Sequence, residues 1–152
     1  MFNNISITTQ YVLDQAEAID FYVGKLGFEV RNDVDLGFMR WLTIGLPSDP
    51  DREILLEVPG PPAHSDEVAT QARDLITKGA MGSLILTTDD CQATYDNLVA
   101  QGVESTEEPT EQPYGIDCAF RDPFGNPFRI TQPAEQVAEI TNEDKTRWGG
   151  GD

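Results

Sequence analysis

Apolar and polar residues alternate through Ile5-Ser-Ile-Thr-Thr-Gln-Tyr-Val12, the two-residue period of a half-buried strand, and a similar segment recurs at Ser83-Leu-Ile-Leu-Thr-Thr88. Each precedes an aspartate, Asp14 or Asp90, placed where a helix N-cap is expected. At matching offsets from those aspartates stand Ile19, Tyr22 and Val23 in the first half and Tyr95, Leu98 and Val99 in the second, an i, i+3, i+4 stripe that predicts a helix. Asp20 and Asp96 coincide as well. Each helix is expected to stop at a glycine followed by an apolar strand start, Leu26-Gly27-Phe28-Glu29-Val30 and Gln101-Gly102-Val103-Glu104. Further strands are predicted over Phe38 to Gly45, Glu53 to Val58, Ile116 to Arg121 and Pro127 to Gln132. Pro47-Ser-Asp-Pro-Asp51 and Asp122-Pro-Phe-Gly-Asn126 carry the turn chemistry between them. The chain therefore repeats a βαβββ pattern, over about 5–58 and about 82–132.

Between the halves, Pro59-Gly-Pro-Pro62 breaks the pattern, and Val68, Ala72, Leu75 and Ile76 then recur at helical spacing with Gly79 as the stop. This predicts a linker helix over about 65–78. From about Ala134 the periodicity fails, so 1–133 is expected as one domain and 134–152 as a loosely ordered acidic tail. The length, with 39% hydrophobic and 24% charged residues, suits a single globular domain.

Charge narrows the partners. Ten Lys and Arg against 27 Asp and Glu give a net charge of −17, which repels nucleic-acid phosphates and anionic membrane surfaces and serves either solubility through self-repulsion or the attraction of a cationic small molecule. No apolar run approaches the ~20 residues that cross a bilayer, and the start Met1-Phe-Asn-Asn4 lacks the pattern of a secretory leader, so a cytoplasmic protein is expected. Cys91 and Cys118 make neither a disulfide framework nor a metal-ligand spacing and are expected as reduced thiols. The single histidine, His64, excludes any two-histidine metal site or histidine-pair mechanism and is expected to face solvent.

Val12-Leu-Asp14 with Phe21-Tyr22 and Leu26-Gly-Phe28, then Thr88-Asp-Asp90 with Tyr95 and Gly102-Val103, and finally Phe120-Arg-Asp-Pro-Phe-Gly-Asn126, resemble the vicinal oxygen chelate superfamily. That superfamily includes glyoxalase I, extradiol dioxygenases, fosfomycin resistance enzymes and bleomycin-binding proteins. The resemblance spans about residues 5 to 132. It implies an α+β fold in which two βαβββ modules form a cupped eight-stranded mixed sheet around a pocket, usually in a homodimer. Carried over position by position, it also places the superfamily's metal ligands on Ile7, Ser83, Arg129 and Leu55, with Glu57 two residues beyond Leu55 on the same face. Isoleucine and leucine cannot bind a metal, neutral serine is a poor ligand and arginine brings a positive charge, so no metal and no other cofactor is expected.

Candidate pocket residues follow from the same carry-over. Phe38, Trp41, Tyr114 and Phe120 lie on or beside strands that resemble the cup-lining strands, where an aromatic ring offers a flat wall and, for Trp and Tyr, a hydrogen bond. Core packing is the competing reading for each. Arg129 either grips an anionic group with its fork or pairs with Glu57 or another carboxylate. Glu57 is either a desolvated general base or a half-exposed strand carboxylate. Three functions stay open: binding of a small amphipathic or cationic molecule without metal, as in the bleomycin-binding members, a glyoxalase- or dioxygenase-type enzyme with a divergent active site, or a structural dimer with a vestigial pocket.

Overall fold

A computed structural model of the chain, described over residues 1–150, is α+β and divides into two compact units. The first comprises Met1–Ser83 together with Arg121–Pro127; the second comprises Leu84–Phe120 and Phe128 onward. The eight predicted strands are present as two four-stranded mixed sheets rather than one hydrogen-bonded sheet.

In the first unit β1 (Ile7–Tyr11), α1 (Gln15–Tyr22), β2 (Glu29–Asp35), β3 (Arg40–Gly45) and β4 (Glu53–Glu57) are followed by α2 (Asp66–Thr77), and the sheet order is β1-β4-β3-β2. The β1–β4 pair is parallel and the other pairs antiparallel. In the second, β5 (Leu84–Thr87), α3 (Cys91–Ala100), β6 (Glu104–Gln112), β7 (Gly115–Arg121) and β8 (Pro127–Pro133) give the matching order β5-β8-β7-β6, with β5 parallel to β8. A last helix, α4 (Asn142–Arg147), follows. The sequence pattern leaves that segment without an element.

The two aspartates cap their helices as the spacing predicts. Asp14 accepts from the Glu17 N–H at 2.8 Å and Asp90 from the Ala93 N–H at 2.9 Å, each satisfying an amide the first helical turn cannot. At the other ends Gly27 (φ 81°) and Gly102 (φ 79°) adopt the left-handed backbone that lets the chain leave the helix. The buried stripe on α1 is Ala18, Phe21 and Tyr22, one position N-terminal to the predicted Ile19, Tyr22 and Val23. On α3 the buried residues are Cys91 and Leu98, while Val99 is 45% exposed.

The central strands of the first sheet are buried on both faces, over 42–45 of β3 and 54–56 of β4. Leu42 and Ile44 of β3 and Leu56 of β4 are fully buried with Tyr22, whose ring meets Phe21 and Phe28 edge-on at 5.0 and 6.0 Å. In the second unit Phe120 stacks on Phe128 at 5.6 Å beside the thiols of Cys91 and Cys118, both reduced, buried and 3.6 Å apart.

The turn from Asp122 to Asn126 belongs to the first unit and centres on one carboxylate. Asp122 Oδ1 accepts from the backbone N–H groups of Phe124, Gly125 and Asn126 at 2.8–3.0 Å, and Oδ2 accepts from the Tyr22 hydroxyl at 2.7 Å and the Asn126 amide at 2.8 Å. The Asn126 amide also donates to the Tyr11 carbonyl at 2.8 Å.

Burial, reinforced by the Asp122 carboxylate, pushes the Tyr22 phenol well above its ordinary 10.0. Burial likewise pushes the Cys118 thiol up to about 12 from 9.0 and raises Cys91. In the unfolded chain these groups ionise at their ordinary values, so above pH 9.0 for the thiols and 10.0 for the phenol the unfolded state sheds protons that the folded state keeps. Their stabilising contribution is whole below those values and declines as pH rises through this window. The urea midpoint is expected to fall between about pH 8 and about pH 11, and Cys118→Ala is expected to flatten the start of that fall.

Candidate functional site

In the second unit strand alternation divides β7 and β8 between two faces. Cys118, Phe120, Phe128 and Ile130 pack into the buried layer, while Asp117 and Arg129 meet on the other face. Arg129 lies opposite Ile85 in the β5–β8 ladder. Its Nε donates to Asp117 Oδ2 at 2.8 Å and its Nη2 to Glu107 Oε2 of β6 at 2.7 Å. Tyr114, in the turn between β6 and β7, donates its hydroxyl to the same Asp117 Oδ2 at 3.0 Å. The side chain of Asp117 is only 1% exposed, and its second oxygen is buried with no hydrogen-bond partner.

This network fixes charge states. The bond to Asp117 holds the Arg129 guanidinium even more firmly protonated than usual, with Glu107 adding to the effect. Burial, then the hydrogen bond to Asp117, pushes the Tyr114 phenol up, so it stays neutral at physiological pH. Arg129 therefore pairs with carboxylates, one of its two predicted roles, and the partners are Asp117 and Glu107.

A cavity of about 430 Å³ lies over this cluster, lined by Glu107, Thr110 and Gln112 of β6, Tyr114, Arg129, and Arg147 and Trp148 at the end of α4. The size falls within the range of small-molecule pockets. Gln112 Oε1 accepts from both the Arg147 guanidinium at 2.9 Å and the Trp148 indole N–H at 3.1 Å, and the Trp148 and Tyr114 rings lie 6.2 Å apart.

The first unit has a smaller cavity of about 180 Å³, lined by Gln15, Phe38, Met39, Arg40, Glu57, Val58 and the loop Gly60 to Ala63. Gln15 spans it, donating to the carbonyls of Arg40 and Leu56 at 3.2 and 2.9 Å. Arg40 forks onto Asp33 with two 2.8 Å bonds, which hold that carboxyl below the usual carboxylate range. Phe38 is 65% exposed at the rim, and Glu57 is half-buried.

Four of the six sequence-predicted pocket residues thus line cavities, Tyr114 and Arg129 in one unit and Phe38 and Glu57 in the other. Trp41 is half-buried on β3, opposite Val34 in the ladder, and lines neither cavity. Phe120 is fully buried between Tyr95 and Phe128, because its place on β7 has the parity of Cys118 rather than of Asp117. His64 is partly buried, edge-on to Tyr11 at 5.6 Å. Sequence reasoning missed Glu107, Gln112, Asp117, Arg147 and Trp148. The signal for the last two was Thr141-Asn-Glu-Asp144, a capping box that starts α4 with reciprocal Thr141 and Asp144 bonds.

The positions that the resemblance assigns to metal ligands do not fit a divalent cation. Ile7 and Leu55 offer no lone pair, Ser83 is exposed and precedes β5, and Arg129 holds its charge against two carboxylates. Among the described residues, no group of three or more His, Cys, Asp or Glu side chains is placed to hold a metal ion. Nor is any described helix long and apolar enough to cross a membrane.

Comparison with known proteins adds a family and its relatives. The family described as Glyoxalase/Bleomycin resistance protein/Dioxygenase superfamily matches residues 4–130. The crystal structure of UcmS2 superposes with a TM-score of 0.82 at 42% identity, covering 87% of this chain and 99% of that one. TnmS3, an antibiotic binding protein from Streptomyces sp. CB03234, gives a TM-score of 0.70 at 28% identity, covering 88% of this chain and 98% of its own. The uncharacterized protein YurT of Bacillus subtilis (strain 168) is 35% identical over 129 residues, which are 84% of this chain and 98% of that protein.

Proposed function

The chain belongs to the glyoxalase/bleomycin resistance protein/dioxygenase superfamily, and we propose that it is a binding member, holding a small amphipathic, cationic aromatic molecule in the cavity over Arg129 without a metal. The observation that carries this reading is the state of the arginines in that cavity. Arg129 spends its fork on Asp117 and Glu107, and Arg147 pairs with Asp144, so two cations stand among three carboxylates and no bare guanidinium awaits an anion. The Tyr114 and Trp148 rings supply flat apolar walls, and the net charge of −17 draws cations from beyond contact range. TnmS3, whose structure is similar, is an antibiotic binding protein, which supports binding as the class of function.

The test is calorimetric titration with a cationic, a neutral and an anionic compound built on one planar ring system, each at low and high salt. The cationic compound is expected to bind most tightly. Its advantage should shrink with added salt, since the steering part acts over a Debye length of about 8 Å at physiological ionic strength. A preference for the anion at both salts would show that Arg129 acts as an anion receptor and would overturn the proposal.

A further inference from the structure

The cavity over Arg129 is closed on one side by residues outside the segment matched to the superfamily. That match ends at residue 130, whereas Arg147 and Trp148 follow α4. We infer that α4 is a built-in lid for the ligand of the proposed binding site, with Trp148 as its contact surface and Gln112 as its latch. This rests on the binding reading for the ligand's identity, but the lid has its own geometry.

Three features make α4 a movable wall rather than a piece of core. It buries no residue. Its capping box satisfies its own first turn, so the helix needs no neighbour to finish its N-terminus. The chain before it is pinned where the Ala138 N–H donates to the Pro113 carbonyl at 2.8 Å, and the chain after it is held by Gln112 Oε1, the shared acceptor for Arg147 and Trp148. Between pin and latch, α4 can swing as a unit about residues 139–141.

The ring geometry couples that swing to binding. Tyr114 and Trp148 are tilted by 42° with centroids 6.2 Å apart. A flat ring held between two others needs about 7 Å, twice a carbon–carbon contact distance. A planar ligand therefore enters between them only as the latch gives way, and it leaves slowly once Trp148 closes on it. The indole is 44% exposed, so opening brings a measurable change in its accessibility.

The experiment uses the full chain, its Gln112→Ala, Trp148→Ala and Trp148→Phe variants, and a cationic acridine dye as probe. The difference between the natural chain and Trp148→Phe isolates the Trp148 emission from that of Trp41. Without dye, Gln112→Ala is expected to raise acrylamide quenching of the Trp148 component about twofold, because it frees a ring now half covered. With dye, Gln112→Ala and Trp148→Ala are each expected to speed dissociation about tenfold and change association little, since loss of a closing wall acts on the exit rate. Equal quenching with and without the Gln112 side chain would overturn the latch. Unchanged dissociation from variants that still bind dye would overturn the lid and leave the binding reading standing. Failure of the natural chain to bind the dye, with the quenching difference present, would overturn the binding reading and the ligand contact of Trp148 but not the latch.

Discussion

Replacing Asp122 by Ala is expected to remove about 3–5 kcal/mol of stability and to lower the melting temperature by about 10 °C or more. The carboxylate is 3% exposed and accepts five hydrogen bonds. Alanine would strand the backbone N–H groups of Phe124 and Asn126 and the phenol of Tyr22, itself 1% exposed, while the Gly125 N–H keeps the backbone carbonyl of residue 122 and the Asn126 amide keeps the Tyr11 carbonyl. Burying a donor without an acceptor costs its full desolvation, so the loss exceeds the worth of any single bond. Tyr22→Phe removes only one of the five donors, and its cost should stay near 1 kcal/mol. Urea denaturation with an unchanged slope checks both values. An Asp122→Ala protein as stable as the natural chain would show that water replaces the carboxylate in the turn.

Arg129→Ala is the second large effect expected, about 2–3 kcal/mol of stability, because it leaves the nearly inaccessible Asp117 carboxylate without its cation. The arginine side chain is 35% exposed, which places this below the figure for a fully buried pair. Glu107, 39% exposed, is the lesser partner, and Glu107→Gln should cost under about 1 kcal/mol. Adding Asp117→Asn to Arg129→Ala should recover part of the loss, since the neutral amide no longer needs a cation. Denaturant midpoints of the single and double variants give the answer. A double variant less stable than Arg129→Ala alone would contradict the charge argument.

The fold was legible because its signals are local and occur twice. Asp14 and Asp90 cap helices through their own side chains, Gly27 and Gly102 end them through their own backbone, and the alternation of β8, with Phe128 and Ile130 buried and Arg129 on the other face, is carried by that strand alone. What escaped depends on distant partners. Tyr22 and Asp122 are 100 residues apart, and nothing in either neighbourhood announces their bond. Phe120 and Asp117 sit three apart on one strand, so they point to opposite faces, yet sequence alone did not say which face is core. The acidic tail looked patternless because α4 has no apolar stripe; it has a capping box, and the residues that matter to the site, Arg147 and Trp148, come at its end.

The central claim is that a small aromatic cation binds in the cavity bounded by Tyr114, Arg129 and Trp148. The chain has two tryptophans, one in each unit, so it carries its own internal control. Nitrogen–proton correlation spectra recorded while a cationic acridine dye is titrated into the natural chain follow both indole N–H signals at once. The Trp148 indole, the Arg129 Nε–H and the amides of Gln112 and Tyr114 are expected to shift along one saturable isotherm while the Trp41 indole stays in place. Saturable shifts at Trp41 with Trp148 and Arg129 unmoved would contradict the account.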